Sequence, residues 1–121
     1  PGILYRFDAN QGYTFDEAVA FIKGLEATDI QHVEAFEQPF PPEKWKWMEK
    51  LRKLTQIPLM LDESIFDDRD ILRATAVGAD LIKLKLCKTK GLRDLTAKAN
   101  LAHRAGMRVV LGNGVATRDS R

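Results

Sequence analysis

A chain of 121 residues builds one domain or less. Its 45% hydrophobic and 30% charged residues exclude a disordered or membrane-embedded class, and no apolar run approaches the ~18 residues a transmembrane helix requires. The 19 basic residues are interleaved with 17 acidic ones for a net charge of +2, so no basic stripe invites nucleic acid, and the single cysteine, Cys87, excludes an internal disulfide and fits a reducing, cytoplasmic location. With no signal peptide and Pro1 in place of an initiating methionine, the start reads as a boundary within something longer.

Period-2 apolar runs alternate with stretches of helical periodicity in the order βαβαβαβαβ. The first strand is predicted over Ile3–Asp8. In the helix "TFDEAVAFIKGLEA" that follows, Thr14 caps the first turn and Glu17 reaches back to the cap amide, a capping box. His32–Glu37 forms the second strand. Pro41 and Pro42 open the second helix, "PPEKWKWMEKLRKL", because proline's fixed φ suits a first turn, and Trp45, Met48 and Leu51 follow at helical spacing as its core face. Pro58–Asp62 is the third strand, "DDRDILRATAVGA" a short third helix and Asp80–Leu86 the fourth strand. "LRDLTAKANLAHRAGM" makes a fourth helix ending at Gly106, a residue able to take the left-handed C-terminal conformation, before a last strand over Arg108–Leu111. Short runs rich in Ile, Leu, Val and Phe suit a parallel sheet with covered faces.

Each strand ends in a polar residue. These are Asp8 in "FDANQG", Glu37 in "FEQPFPP", Asp62 in "LDES", Lys85 in "IKLKLCK" and Asn113 in "LGNG". Each lies about one βα unit from the next, which sets them at similar heights at the strand ends where α/β folds keep their active sites. Alternation puts Met60 with Asp62, Ala35 with Glu37 and Lys83 with Lys85 on one face, leaving Leu59, Leu61, Leu84 and Leu86 to meet the helices. Three converging acids cannot all stay ionised without a cation, and hard oxygen donors favour Mg²⁺ over Zn²⁺. The competing reading is that these acids cap helices or pair with Arg6 and the lysines. Burial and a nearby cation would lower the pKa of Lys85 and let it accept a proton. Lys83, one layer deeper, is expected as an ion-pair partner, and Lys88 rather than Lys90 as the lysine able to reach a substrate anion. His32 and His103 lie away from the acid rim and read as structural. Cys87 shares the inward side of Lys85 without signs of an activated nucleophile, and "GNGVAT" is weak evidence for phosphate.

"DANQG", "EQPFP", "DES" and "KLKLCKTKG", in that order and spacing, resemble the enolase superfamily, specifically the mandelate racemase and muconate lactonizing enzyme family, across essentially all of the chain. The resemblance implies an α/β fold, a partial (β/α)8 TIM barrel of about five parallel strands alternating with four helices. These would be strands three to seven of a C-terminal barrel domain, with the N-terminal capping domain and strands one, two and eight absent. It implies Asp8, Glu37 and Asp62 as the metal ligands, Mg²⁺ as the cofactor with Mn²⁺ a possible substitute, and Lys85 as the acid/base. Asn10, Gln38 and Glu63 look like residues that orient the ligands. The implied reaction on a small carboxylate substrate removes the α-proton through a metal-stabilised enediolate, leading to racemisation or epimerisation, cycloisomerisation or dehydration. "KTKGL" carries Lys90 where that family often has the first of two glycines. A half-barrel without the opposite base is expected to lack turnover alone and, through its open edges, to form a homo-oligomer. Two other readings stand beside this one: a Schiff-base aldolase-type barrel using Lys85, and a non-catalytic Mg²⁺-binding α/β domain.

Overall fold

The computed structural model describes residues 5–27 and 30–112. Five strands, β1 (Tyr5–Asp8), β2 (Val33–Glu37), β3 (Leu59–Leu61), β4 (Leu81–Lys85) and β5 (Arg108–Gly112), alternate with four helices, α1 (Phe15–Glu26), α2 (Trp45–Arg52), α3 (Asp68–Ala76) and α4 (Leu92–Arg104). The strands are all parallel and lie side by side in chain order. The strand–helix–strand connections, repeated without reversal of strand order, send every helix to the same side, so the sheet curls around its bare face as part of a barrel.

The packing shows this asymmetry. Phe36, Leu59, Leu61, Ile82 and Leu84 point outward into one core with Ala18 and Ile22 of α1, Trp45, Met48 and Leu51 of α2, Ile71 and Ala74 of α3 and Ala102 of α4. On the opposite face Ala35, Met60 and Leu81 form a separate small cluster with Val110 and no helical residue. Leu86 departs from the expected alternation: β4 stops at Lys85, Leu86 begins a 3₁₀ turn (Leu86–Lys88), and its side chain is exposed.

Local chemistry sets the helix ends. Thr14 and Glu17 make the expected capping box, with the Glu17 N–H donating to Thr14 Oγ1 at 3.2 Å and the Thr14 N–H to Glu17 Oε1 at 2.9 Å. Asp67 and Asp70 build a second one at the start of α3. The second helix begins at Trp45 instead of Pro41. Phe40 and Pro41 each precede a proline and are disfavoured in helical φ/ψ, so the chain first makes a turn closed by the Lys44 N–H on the Pro41 carbonyl. Gly106 takes φ +93°, and the Met107 N–H reaches back to the Ala102 carbonyl, as expected of a left-handed terminus.

At the opposite end of the sheet from the polar rim, Arg52 of α2 pairs with Asp80 and donates to the carbonyls of Thr55 (2.6 Å) and Ile57 (3.0 Å). Asp80 also accepts from the Leu59 N–H at 2.9 Å, so one ion pair ties α2 to the starts of β3 and β4. Residues 3–4 of the first predicted strand, and Asn113 with the rest of the "GNGVAT" loop after Gly112, lie outside the described residues.

Candidate active site

The predicted strand-end residues fall on the bare face of the sheet. Asp8 lies opposite Glu37 in the β1–β2 register, and Lys83 and Lys85 of β4 face β5 across from Val110 and Gly112. Glu37 and Asp62 are almost fully withdrawn from solvent, each with a side chain 3% exposed, whereas Asp8 is exposed. Lys83 Nζ donates to Glu37 Oε2 at 2.7 Å, the ion-pair role expected of it, and lies 3.9 Å from Asp62 Oδ2. Lys85 Nζ sits 3.1 Å from Asp62 Oδ2. Lys88 turns inward and donates to the Asp62 carbonyl at 2.9 Å and to Asp62 Oδ1 at 3.3 Å, so in this arrangement it holds Asp62.

These contacts decide the protonation states. Burial raises the Glu37 pKa, the Lys83 hydrogen bond and charge pull it down, and the negative charges of Asp8 and Asp62 help to leave it above the ordinary carboxylate value. Burial acts the same way on Asp62, but the Lys85 and Lys88 ammoniums outweigh it and hold that carboxyl below its usual range. Lys85 corrects the expectation that its pKa would be lowered. Burial does push it down, yet the hydrogen bond and charge of Asp62, joined by the charge of Glu63, outweigh burial and raise it. Among the described residues, no three acids, histidines or cysteines close on a common point; the groups that close on Glu37 and Asp62 are ammoniums.

Gln38 fixes the loop that carries Asp62. It is 1% exposed and satisfies every polar valence of its amide. Nε2 donates to the Phe40 carbonyl and to Ser64 Oγ, both at 2.9 Å, while Oε1 accepts from the N–H groups of Asp62 at 2.9 Å and Ser64 at 3.3 Å. Ser64 Oγ in turn donates to the Pro42 carbonyl at 2.9 Å, which makes it a member of the site frame that sequence reasoning missed. The loop after β1 docks here too, through the Gln11 N–H on the Gln38 carbonyl at 2.7 Å. Asn10 donates its backbone N–H to Asp8 Oδ1 at 2.8 Å. Glu63 makes no hydrogen bond to Asp8, Glu37 or Asp62 among the described residues, and its Oε1 is buried without a partner.

A sequential parallel sheet with helices on one side and acids and lysines gathered at the carboxyl ends of its strands is part of a (β/α) barrel with its polar site in the usual position. The chain belongs to the enolase C-terminal domain-like family, whose model matches residues 1–118, in agreement with the motif resemblance. An L-amino acid-D/L-Glu epimerase from Francisella philomiragia is 35% identical over 111 residues, which cover 91% of this chain and 31% of that protein. The substrate-liganded L-Ala-D/L-Glu epimerase from Bacillus subtilis superposes with a TM-score of 0.81 at 32% identity, over 90% of this chain and 30% of that one. A dipeptide epimerase from Cytophaga hutchinsonii, solved with Mg and the dipeptide D-Ala-L-Val, gives a TM-score of 0.80 at 31% identity, over 90% of this chain and 29% of that one. The chain therefore spans less than a third of the length of these relatives.

Proposed function

We propose that this chain supplies the Mg²⁺-holding and acid/base part of a dipeptide epimerase or related racemase, acting on the carbon α to a carboxylate. The observation that carries this reading is the withdrawal of Glu37 and Asp62 from solvent on the bare sheet face, with Lys85 Nζ 3.1 Å from Asp62. The epimerase names of the relatives support the reaction class, and the Cytophaga structure with Mg and a dipeptide supports the metal and the substrate class. The donor set fits: three carboxylates with hard oxygens, one of them kept above its ordinary pKa partly by its two neighbours' charges, gain from a divalent cation. Asp8, Glu37 and Asp62 would hold the ion. When bound, it would supply positive charge to offset the charge that builds on a substrate carboxylate as the α-proton leaves.

Lys85 takes or returns that proton at Nζ. Its proton is now held by Asp62, so any ligand that engages Asp62 loosens the hold and moves Lys85 toward accepting. Lys83 favours the ionised form of Glu37, while Gln38 and Lys88 fix Asp62 from the backbone side. Inversion at carbon needs a base on each face of the substrate, and this segment places one, so by itself it is expected to show no turnover. Association of copies through β1 and β5, each paired on one side only among the described residues, is part of the same proposal and is read by light scattering.

Calorimetry with Mg²⁺ tests the metal site: binding is expected for the unaltered chain and lost in Asp62→Asn, and equal binding by both sinks the assignment. With residues 5–112 grafted into the Bacillus subtilis relative, deuterium from solvent is expected at the α-carbon of L-Ala-L-Glu, and Lys85→Met should abolish it.

A further inference from the structure

Asp62 carries an ammonium on each of its carboxylate oxygens: Lys85 Nζ lies 3.1 Å from Oδ2 and Lys88 Nζ 3.3 Å from Oδ1. The two amines therefore stand on either side of one carboxylate. Lys88 does not depend on that carboxylate for its place, because it also donates to the Asp62 carbonyl at 2.9 Å and lies 5.2 Å from the centre of the Phe66 ring. Once a cation neutralises the Asp62 carboxylate, Lys88 stays seated on the carbonyl and the ring and has one N–H to give.

Lys88 and Phe66 also line a cavity of about 430 Å³ beside the starts of α3 and α4. The Phe66 ring is 61% exposed and lies outside the core, so it offers this cavity an apolar surface. The acids on the walls are engaged by the chain itself. Asp67 accepts from the Asp70 N–H at 3.1 Å, Asp68 pairs with Lys98 at 3.4 Å, and Asp94 accepts from the Lys90 N–H at 2.9 Å and from Lys98 at 3.1 Å. Lys90 and Arg69 complete the lining, so with Lys88 released from Asp62 the walls hold more positive than negative charge.

We infer that this cavity is the subsite for an acidic side chain of the substrate, with Lys88 as its specificity-determining donor and Lys90 adding charge from the wall; this rests on the reading of the site given above. The geometry sets the class. With Lys85 at the α-carbon, Lys88 lies across one carboxylate from it, and a side-chain carboxylate two methylenes out from that carbon spans such a gap. The methylenes then cover the Phe66 ring while the charge meets Lys88. A neutral side chain would give the Lys88 N–H a weaker acceptor, and a cationic one would add to the positive walls, so the site selects acidic side chains.

The test compares L-Ala-L-Glu with L-Ala-L-Gln, which match in shape and differ in that charge, by calorimetric titration of this chain in Mg²⁺. L-Ala-L-Glu is expected to bind about tenfold tighter or more, as a hydrogen bond between two charged groups requires. Lys88→Met should abolish the preference and Lys90→Met should reduce it, with circular dichroism confirming that each variant is folded; if Lys88→Met does not fold, Lys90→Met decides. Equal binding of both probes by the unaltered chain overturns the subsite and leaves the reading of the metal and acid/base site standing. A preference undiminished in the folded variants overturns the subsite as well. If the unaltered chain binds neither probe, the site reading falls and the subsite with it.

Discussion

Replacing Gln38 by leucine removes the joint between the β2 and β3 loops with little change in volume. Leucine accepts the φ of +41° no better and no worse than glutamine, so backbone strain cancels between the two proteins. What remains is polar. The Asp62 N–H, the Ser64 N–H and the Phe40 carbonyl each lose their Gln38 partner in a region closed to water, two of the bonds being 2.9 Å long and the third 3.3 Å. Each orphaned buried group costs about 1–3 kcal/mol, and the 3.3 Å bond counts least, so the loss is about 3–5 kcal/mol. Against a total stability of ~5–15 kcal/mol for a domain, that is a large fraction. Urea denaturation followed by circular dichroism measures it, with the slope unchanged and the midpoint lowered. Because Asp62 then loses its orientation, Mg²⁺ affinity should fall about 10–100-fold in the same variant. A destabilisation below about 1 kcal/mol, or unaltered Mg²⁺ binding, would show that the Gln38 amide neither secures the loop nor aims the carboxylate.

Lys83→Met leaves the Glu37 carboxylate buried beside Asp62 without its nearest cation and should cost about 3 kcal/mol of stability, read from the urea midpoint near neutral pH. Gly78→Ala should destabilise more than Gly106→Ala, although both glycines have positive φ. A Cβ at 78 meets Arg52 Cγ at 2.5 Å, whereas nothing lies within 4 Å at 106, so thermal melts should separate backbone strain alone, about 1–2 kcal/mol, from strain plus clash. The Lys90 N–H, and then the Lys98 ammonium, hold the Asp94 carboxyl below its ordinary pKa. A depressed acid stabilises the fold above its unfolded pKa and loses that contribution as pH falls through the folded value. The stability difference between the parent and Asp94→Asn should therefore shrink on acidification below about pH 4, as seen in melts across that range.

The barrel pattern was legible because two periodicities coexist on each strand. Leu59 and Leu61 alternate with Met60 and Asp62, and the sheet separates them as alternation demands, with the helices taking one set. Gly106 and the Thr14–Glu17 box were equally readable, since each depends on residues within one turn of each other. The second capping box, Asp67 with Asp70, obeys the same local rule with aspartate in place of glutamate and could have been found by it. The start of α2 was misplaced because proline's fitness for a first turn was weighed without its effect on the residue before it. Longer-range features were harder. Arg52 and Asp80, 28 positions apart, meet only because a helix C-terminus and a strand start abut, and nothing in either neighbourhood announces the pair. The sign of the Lys85 shift was missed for a related reason: burial was foreseen, but a carboxylate at 3.1 Å that outweighs it was not.

The division of the sheet into a helix-covered side and a bare side reaches beyond geometry. Side chains on the two sides of one ribbon answer to different demands, so substitutions among Phe36, Leu59 and Ile82 are free of any duty to chemistry, and exchanges at the polar tips leave the oily layer behind them in place even where they cost stability. A lineage can therefore retool its reaction at the rim while inheriting the scaffold unchanged.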